Sequence, residues 1–466
     1  MTDQLGNDRR TRHAVVIGGG LAGLLAARVL AEHAERVTVL ERDRYPEGPE
    51  ARPGVPQARH LHVLLEGGQQ ALESLLPGFL DELGELGAPR VGMPQDLVQW
   101  ANGSWIRRSR ATTHLYTGAR PQLDWLARRR VLADPRIEAV EGVEVVGLLG
   151  DSTRVRGVRL RERGAGAEKE PRTLAADLVV DASGRGSKAP DWLAAIGAEA
   201  PHEEVLDSGL AYATRIYRSE QDPKHTDALG YYVVPNPRQV YGAVVLPIGE
   251  GRHLVTFSGL RADPPPTDEA GFEEYAKRLP HPLVSEWLAR AEPDSPVFGF
   301  RKTANIRRRY DRPGRRPAGF LAMGDALATF NPIYGQGMAV AALSAVALRD
   351  VLADRRQTPS TRRVQRALFD ASAFAWDIST GADKKMPGAT GNLLGTRVTD
   401  KPASWYFDRI QERYMSDPVV GAPFRAVLTL TEPASALFAP EVVRAVLAPV
   451  REGLHEPAMW RETPED

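Results

Sequence analysis

The stretch AVVIGGGLAGLLAARVLAEHAERVTVLER, residues 14–42, decides the fold. Its first part, Ala14–Gly20, joins an apolar run to glycines and predicts a short buried parallel strand that ends in a glycine turn. The following LAGLLAARVLAEHA has helical periodicity, and Arg36–Arg42 predicts a second strand. Strand, helix and strand within about thirty residues form a βαβ unit.

Gly18, Gly20 and Gly23 form a Gly-x-Gly-x-x-Gly motif where the first strand meets the helix. Gly18 permits the tight turn, Gly20 lets the backbone approach a pyrophosphate, and Gly23 allows close packing of helix on strand. The first helical residues, Leu21 and Ala22, offer free N–H groups to phosphates. An ordinary glycine-rich turn is the alternative, and the flanking strand and helix disfavour it.

The second strand ends on Glu41, 18 residues beyond Gly23. A carboxylate at this position can accept hydrogen bonds from the ribose hydroxyls of an ADP moiety. The neighbouring Arg42 is assigned to the same binding site. This motif fits both FAD and NAD, so it does not distinguish the two cofactors.

A second motif, GFLAMGDALATFNPIYGQGM, covers residues 319–338 and distinguishes them. It predicts a strand that ends at Gly324 and Asp325, then a loop with Gly335, then a helix that starts near Gly337. Asp325 can bind a ribityl hydroxyl, and the amides of Gly337 and Met338 can face the pyrimidine edge of a flavin. Reduced flavin is negatively charged at that edge, which suits a helix N-terminus. A helix cap with Asp325 is the alternative.

With the strand-to-loop sequence DASG at residues 181–184, these motifs resemble the class A flavin monooxygenases, relatives of p-hydroxybenzoate hydroxylase. The resemblance spans residues 14–348. It implies an α/β fold with a glutathione-reductase-like FAD-binding domain, a β-sheet substrate domain and a helical C-terminal region. It also implies bound FAD, and this FAD is non-covalent because the chain has no cysteine for a thioether link.

The same resemblance implies roles for further residues. Arg120 contacts the ribityl–pyrophosphate region, and Val143 contributes backbone contacts to adenine. Pro332 lies over the flavin near the carbon that activates oxygen, and Tyr334 is the second catalytic candidate. Asn331 and Tyr334 flank Pro332 and are expected to face the substrate, although loop packing is an equal alternative for Tyr334.

One position departs from the family pattern. Ser183, assigned to the cofactor site, stands before Gly184 where these hydroxylases usually have Asp-Gly. The family assigns that Asp a part in NAD(P)H binding, so we expect slow direct reduction by NAD(P)H, or reducing equivalents from a partner reductase. The stretch GVPQARHLHVLL, residues 54–65, resembles bacterial polyene epoxidases of polyether biosynthesis and related flavoproteins recruited as polyketide cyclases.

Other side chains have structural and functional interpretations. His60 and His62 could line the flavin pocket, but a structural role is favoured for each. Aromatic residues of the second domain could wall an apolar pocket, but most are expected in the core; these are Tyr212, Tyr231, Tyr232 and Phe257.

The chain divides into six predicted segments. Residues 1–80, 111–200 and 301–355 are assigned to the FAD-binding domain, residues 81–110 and 201–300 to the substrate domain, and residues 356–466 to the helical region. Alternating β patterns between Leu210 and Leu260 predict a largely antiparallel sheet.

The amino-acid composition argues against several classes of partner and metal site. The 466 residues include 60 Lys+Arg and 60 Asp+Glu, so net charge gives no case for nucleic acid or an anionic membrane. Arginine clusters at 128–130 and 307–309 are expected on solvated faces with nearby carboxylates. The absence of cysteine excludes thiolate metal sites, and no metal-ligand pattern is seen. A polar N-terminus and no long apolar run predict a cytoplasmic protein without membrane insertion.

The sequence therefore predicts an FAD-dependent monooxygenase, an epoxidase or hydroxylase, that acts on an apolar polyketide-like small molecule. A redox-neutral FAD-bound cyclase acting on a polyene is the main alternative. A non-catalytic flavin-binding module is a third, disfavoured by the presence of a substrate domain. The oligomeric state is left open.

Overall fold

The structure is a computed structural model that describes residues 12–118, 120–164, 170–219, 225–312, 314–357, 359–395, 401–449 and 453–461. Within these residues, every side chain except those of 56 and 401–404 is described.

A five-stranded parallel sheet forms the centre of the first domain. Its strands lie side by side in the order Phe320–Ala322, Leu178–Asp181, His13–Ile17, Arg36–Glu41 and Ile137–Glu141. The strands are apolar on both faces because helices cover both faces of a parallel sheet. The helices that pack around it are Leu21–Leu30, Arg120–Val131 and Gly337–Ala353. The predicted βαβ unit and the α/β fold class are confirmed.

An antiparallel sheet of three strands adjoins this domain, as expected for a glutathione-reductase-like fold. Its strands are Val143–Gly150, Val155–Glu162 and Arg172–Ala175. Val155 and Val158 are fully buried in the same hydrophobic core as the parallel sheet, so the two sheets form one packed unit.

The second domain is built on a larger, twisted sheet with its own core. Its strands are Leu97–Ala101, Ser104–Trp105, Leu210–Arg218, Gly230–Val233, Gly242–Gly249, Arg252–Leu260, Glu292–Pro293 and Phe298–Phe300. All pairings are antiparallel except that of Gly230–Val233 with Leu97–Ala101. The largely antiparallel sheet predicted between Leu210 and Leu260 is confirmed.

Two small sheets connect the domains. One contains Val63–Leu64, Arg90–Met93 and Thr113–Thr117, and the other contains Glu203–Asp207, Asn305–Arg308, Ala328–Thr329 and Thr390–Gly391. Because the second sheet includes Ala328–Thr329, it fixes the start of the loop that carries Pro332.

The remaining helices cover the sheets and form most of the C-terminal part. In the first 300 residues they are Glu66–Leu75, Phe79–Glu85, Ala189–Ala195, Glu269–Tyr275 and Leu283–Leu288. Later they are Thr361–Asp383, Lys401–Arg413, Pro418–Leu428 and Pro440–Leu447, which confirms a helical C-terminal region. Thr361–Asp383 packs Leu368 and Trp376 into the core of the parallel sheet. The last three helices share a separate core.

The structure also tests the predictions about the arginine clusters and about membrane insertion. The predicted carboxylates are present in both arginine clusters: Arg130 contacts Glu82, and Arg307 and Arg309 contact Glu204. The prediction of a solvated face is wrong for residues 307–309, because Arg308 is buried and its two neighbours are only partly exposed. In the described part of the chain, every helix is too short or too polar to cross a bilayer.

Candidate active site

The glycine turn after the first strand requires glycine for two different reasons. Gly18 has a φ of +97°, and its amide donates to the Leu40 carbonyl at 2.8 Å. A Cβ on Gly18 would lie 2.6 Å from the Ala182 carbonyl oxygen, and one on Gly23 would overlap the Gly18 carbonyl oxygen. These contacts pack the helix tightly against the strand and its turn, as the motif predicts.

Gly20, in contrast, faces open space. Apart from its chain neighbours, the one atom within 4 Å of a Cβ built there is Arg52 Nη2, at 3.9 Å. Gly20 is also the N-cap of helix Leu21–Leu30, and no side chain caps that helix. Its first N–H groups therefore face a space that a side chain would fill and that a phosphate can occupy.

Glu41 is buried at the end of the second strand and holds the turn in place. Its Oε2 accepts from the Gly19 amide at 2.8 Å and pairs with Arg52 Nη1 at 2.9 Å, while Oε1 accepts from the Asp43 amide at 2.9 Å. Since a carboxylate oxygen can accept more than one hydrogen bond, Oε1 retains capacity for a ribose hydroxyl.

Three distant segments of the chain meet at this turn. Ser183 is exposed, and its Cα lies 2.9 Å from a Cβ built on Gly18. A Cβ on Gly324 would lie 2.6 Å from that of Ala22, so the late motif packs directly on the first turn of the helix. Leu21 is buried beneath both. The sequence motifs thus form one continuous site.

Asp325 is the clearest sign that a ligand completes the site. No described residue donates a hydrogen bond to its half-buried carboxylate. Burial raises the pKa of Asp325, although Arg120, Arg185 and Arg308 oppose that shift. A buried carboxylate without a donor is costly, and a ribityl hydroxyl would supply the missing hydrogen bond.

A small, partly open recess lies beside Arg120 and Met338. Tyr116, Gly118 and His62 also line it. Arg120 is tethered there by an ion pair with Asp124 at 2.8 Å, so it meets Met338 of the late motif in one recess. FAD therefore fits the residues present: the glycine turn for its pyrophosphate, Asp325 for its ribityl chain, and Gly337 and Met338 at a helix start for its pyrimidine edge.

Two further predicted cofactor residues lie near the end of the second strand. The buried Val143 begins a strand next to Gly142, whose amide donates to the Asp43 carbonyl at 3.2 Å. It therefore lies near Glu41, consistent with contacts to adenine. Arg42 is exposed and directs Nη2 to the Gly54 carbonyl at 3.4 Å, so its role in cofactor binding stays a prediction.

The loop at residues 331–335 is held from below by a buried polar cluster. The Asn331 amide nitrogen donates to Asp383 at 3.0 Å and to Ser208 at 3.2 Å. The prediction that Asn331 faces a substrate is wrong, because its side chain is completely buried by these contacts. Pro332 is exposed at the top of the loop, and Gly335 turns the chain at a φ of +66° beside Val63.

Tyr334 shares this cluster, and its phenol donates to Asp383 Oδ1 at 2.7 Å. Asn305 donates to the other carboxylate oxygen at 2.7 Å. Burial raises the pKa of Asp383, and these hydrogen bonds lower it. Asp383 lies some fifty residues beyond the motif and carries no sequence signal. It therefore fixes the loop from behind, while the catalytic roles of Pro332 and Tyr334 stay predictions.

His60 and His62 have separate positions. His60 is buried, with Nδ1 3.0 Å from Thr214 Oγ1 and its ring packed edge-on against Tyr212. His62 lines the cofactor recess, and its Nδ1 donates to the His60 carbonyl at 2.9 Å. The structural interpretation holds for His60, while His62 is placed to contact the cofactor.

Burial lowers the pKa of His60 to about 4, and the nearby Arg59 adds to this shift. Between pH 6.5 and about 4 the unfolded chain binds a proton here that the folded chain does not, so stability falls as pH falls. The full effect of a shift from 6.5 to about 4 is roughly 3 kcal/mol. We expect His60→Asn to show a smaller loss of unfolding free energy between about pH 7 and pH 5 in urea titrations. An equal loss in the variant and in wild type would contradict this; His202→Asn, at an exposed position, is the control.

Comparison with known proteins agrees with this geometry. A family model described as an FAD binding domain matches residues 11–381. The chain is 35% identical over 436 residues to Protein Rv3254 of Mycobacterium tuberculosis, covering 91% of this chain and 90% of that protein. It is 28% identical over 370 residues to 6-methylpretetramide 4-monooxygenase of Streptomyces rimosus, covering 74% and 77%.

Among solved structures, PqsL, a probable FAD-dependent monooxygenase from Pseudomonas aeruginosa, superposes with a TM-score of 0.59. It is 19% identical and the match covers 80% of this chain and 94% of PqsL, which shows a shared fold. The chain therefore belongs to the FAD-binding-domain family matched by residues 11–381 and is an FAD-dependent oxidoreductase of the class A flavin monooxygenase type.

Proposed function

We propose that this protein is an FAD-dependent monooxygenase that hydroxylates or epoxidises an apolar, polyketide-like small molecule. The supporting observation is the Pro332 loop, whose Asn331 and Tyr334 side chains are fixed by Asp383 and which leads directly into helix Gly337–Ala353. The monooxygenase from Streptomyces rimosus, a relative along three quarters of the chain, supports a tailoring reaction on a polycyclic substrate.

When bound and reduced, FAD supplies the electrons that activate dioxygen. The protein's own residues form the environment of the flavin site. The N-terminus of helix Gly337–Ala353 would offer its free N–H groups to negative charge on the pyrimidine edge of bound FAD. Pro332 has no N–H, so it presents no backbone proton above the reacting centre. Asp383 and Asn331 keep this loop in one position.

The electrons come from NAD(P)H or from reduced flavin that a partner reductase supplies. Ser183 stands beside the glycine turn without the carboxylate that related hydroxylases have there, which supports the prediction of slow direct reduction. FAD is bound without a covalent thioether because the chain contains no cysteine.

Dependence on oxygen tests the function. Substrate can be obtained from host cells that lack this protein, and it is then supplied to the purified holoenzyme with and without dioxygen and reductant. We expect product only when both are present. Product formation under strict anaerobiosis, with no change of mass, would instead establish the cyclase reaction.

A further inference from the structure

Helix Pro418–Leu428 brings a C-terminal segment to the edge of the cofactor cleft. The Thr429 carbonyl, just after the helix, accepts from the Gly67 amide at 2.9 Å. Leu430 packs with Val63 and Ala339, and Ala339 lies in the first turn of the helix that begins at Gly337. The preceding turn, which contains Arg425, is therefore held close to the expected flavin position.

Arg425 is a buried cation without an anion. Its side chain is 6% exposed, and its Nε donates to Thr112 Oγ1 at 2.9 Å. No described residue provides a carboxylate partner or an acceptor for its terminal nitrogens. Gly421, one turn earlier, leaves room for the guanidinium, because a Cβ there would lie 3.0 Å from Nη1.

Other buried arginines in the described chain differ in this respect. Each has a carboxylate within ion-pair distance: Arg108 with Asp227, Arg215 with Glu269, Arg308 with Glu203 and Arg413 with Glu412. A buried charge without a partner is destabilising. Burial lowers the pKa of Arg425 to about 10, so it still carries its charge at neutral pH.

Tyr414 packs in the core of the last three helices together with Val234, the residue that follows strand Gly230–Val233. Burial is the main cause that raises the pKa of Tyr414; the phenol of Tyr232, on that strand, adds to it and Arg425 opposes it. Burial and Asp383 raise the pKa of Tyr334, and the phenol of Tyr232 adds to this shift. Among the described residues, neither Tyr232 nor Tyr414 has a hydrogen-bond partner for its hydroxyl. Polar groups inside a protein are nearly always satisfied, so the phenols of Tyr232 and Tyr414 together with the guanidinium of Arg425 are suited to a polar ligand.

We propose that Arg425 binds an anionic oxygen of the substrate, a carboxylate or an equally acidic enol, with the phenols of Tyr232 and Tyr414 as additional donors. This inference rests on the proposed function, because it places the substrate between the Pro332 loop and helix Pro418–Leu428. The substrate class is thereby narrowed to apolar polycyclic molecules that carry one acidic oxygen group at the end distant from the oxidised carbon.

Binding to the oxidised holoenzyme tests the proposal without turnover. The probes are anthracenecarboxylate and its neutral isostere anthracenecarboxamide, and the readout is the change in flavin absorbance at neutral pH. We expect wild type to bind the carboxylate at least about tenfold more tightly than the amide. R425Q should abolish this preference, and R425K should retain part of it. R444Q, which removes an exposed positive charge from helix Pro440–Leu447, should bind both probes as wild type does.

A purely structural role for Arg425 gives a different result. R425Q would then lower the thermal midpoint and leave the carboxylate preference unchanged, which overturns the proposal, as does equal or absent binding of both probes to wild type. We expect R425Q to have an unchanged or raised midpoint, because a buried unpaired charge is removed. This assay measures binding and not oxygen transfer, so the two proposals can fail separately. If wild type prefers the carboxylate but does not oxygenate its substrate, the monooxygenase assignment is refuted and the Arg425 site remains established.

Discussion

Gly20→Val is expected to yield folded protein without FAD. A side chain at this position enters the space in front of the helix N-terminus, where the pyrophosphate must approach the backbone. Because nothing but the tip of Arg52 lies near that space, the substitution should disturb the cofactor far more than the protein. The measurement is the ratio of flavin to protein after purification, with FAD released by acid precipitation and quantified.

The control is Gly381→Val, at an exposed position of helix Thr361–Asp383 that also faces open space. This variant should retain full FAD. Glu41→Ala should weaken binding less, by roughly 1–3 kcal/mol, as expected for the loss of hydrogen bonds to ribose. Normal flavin content in Gly20→Val would show that the nucleotide binds elsewhere.

The second large effect is expected in the cluster beneath the Pro332 loop. Tyr334→Phe removes the hydrogen bond to Asp383, and Asp383→Asn replaces one of the two oxygens that accept from Asn305, Asn331 and Tyr334 with an NH2 group that cannot accept. Small displacements of reacting groups reduce rates by about a hundredfold. We therefore expect product formed per reductant consumed to fall about tenfold or more, with hydrogen peroxide released instead. Pro332 variants should behave in the same way.

Thr380→Ala is the matched control, because its hydroxyl donates only to the Trp376 carbonyl of its own helix. It should remain coupled. Peroxide and product are both quantified for each variant that retains FAD. Full coupling in both Tyr334→Phe and Asp383→Asn would refute the role of this cluster in positioning the loop.

The residues expected to bind the cofactor could be predicted from the sequence alone. Gly18, Gly20 and Gly23 are confined to a few residues, and each is needed for a local backbone reason that a pattern can reveal. The late motif around Asp325 and Gly337 is equally local. Strand periodicity likewise predicted the antiparallel sheet, because alternation of apolar and polar residues is set by which face is buried.

The residues on the substrate side of the site come together only through contacts between distant segments, so the sequence did not reveal them. Asp383 and Arg425 lie on helices of ordinary composition, and only tertiary packing brings them to the Pro332 loop and to Thr112. Arg52 lies in a loop rich in proline and glycine, and its pairing with Glu41 requires a fold that periodicity does not specify. Asn331 was expected to be accessible because it flanks Pro332 in the sequence, but its amide is buried against Asp383.

The most direct test of the oxygenase assignment is turnover under isotopically labelled dioxygen. Substrate obtained from host cells that lack the protein is converted by the holoenzyme with a reductant, and the product is analysed by mass spectrometry. We predict a product that contains one labelled oxygen atom for each oxygenation event. A product with the mass of the substrate, formed equally well without dioxygen, would contradict the monooxygenase assignment.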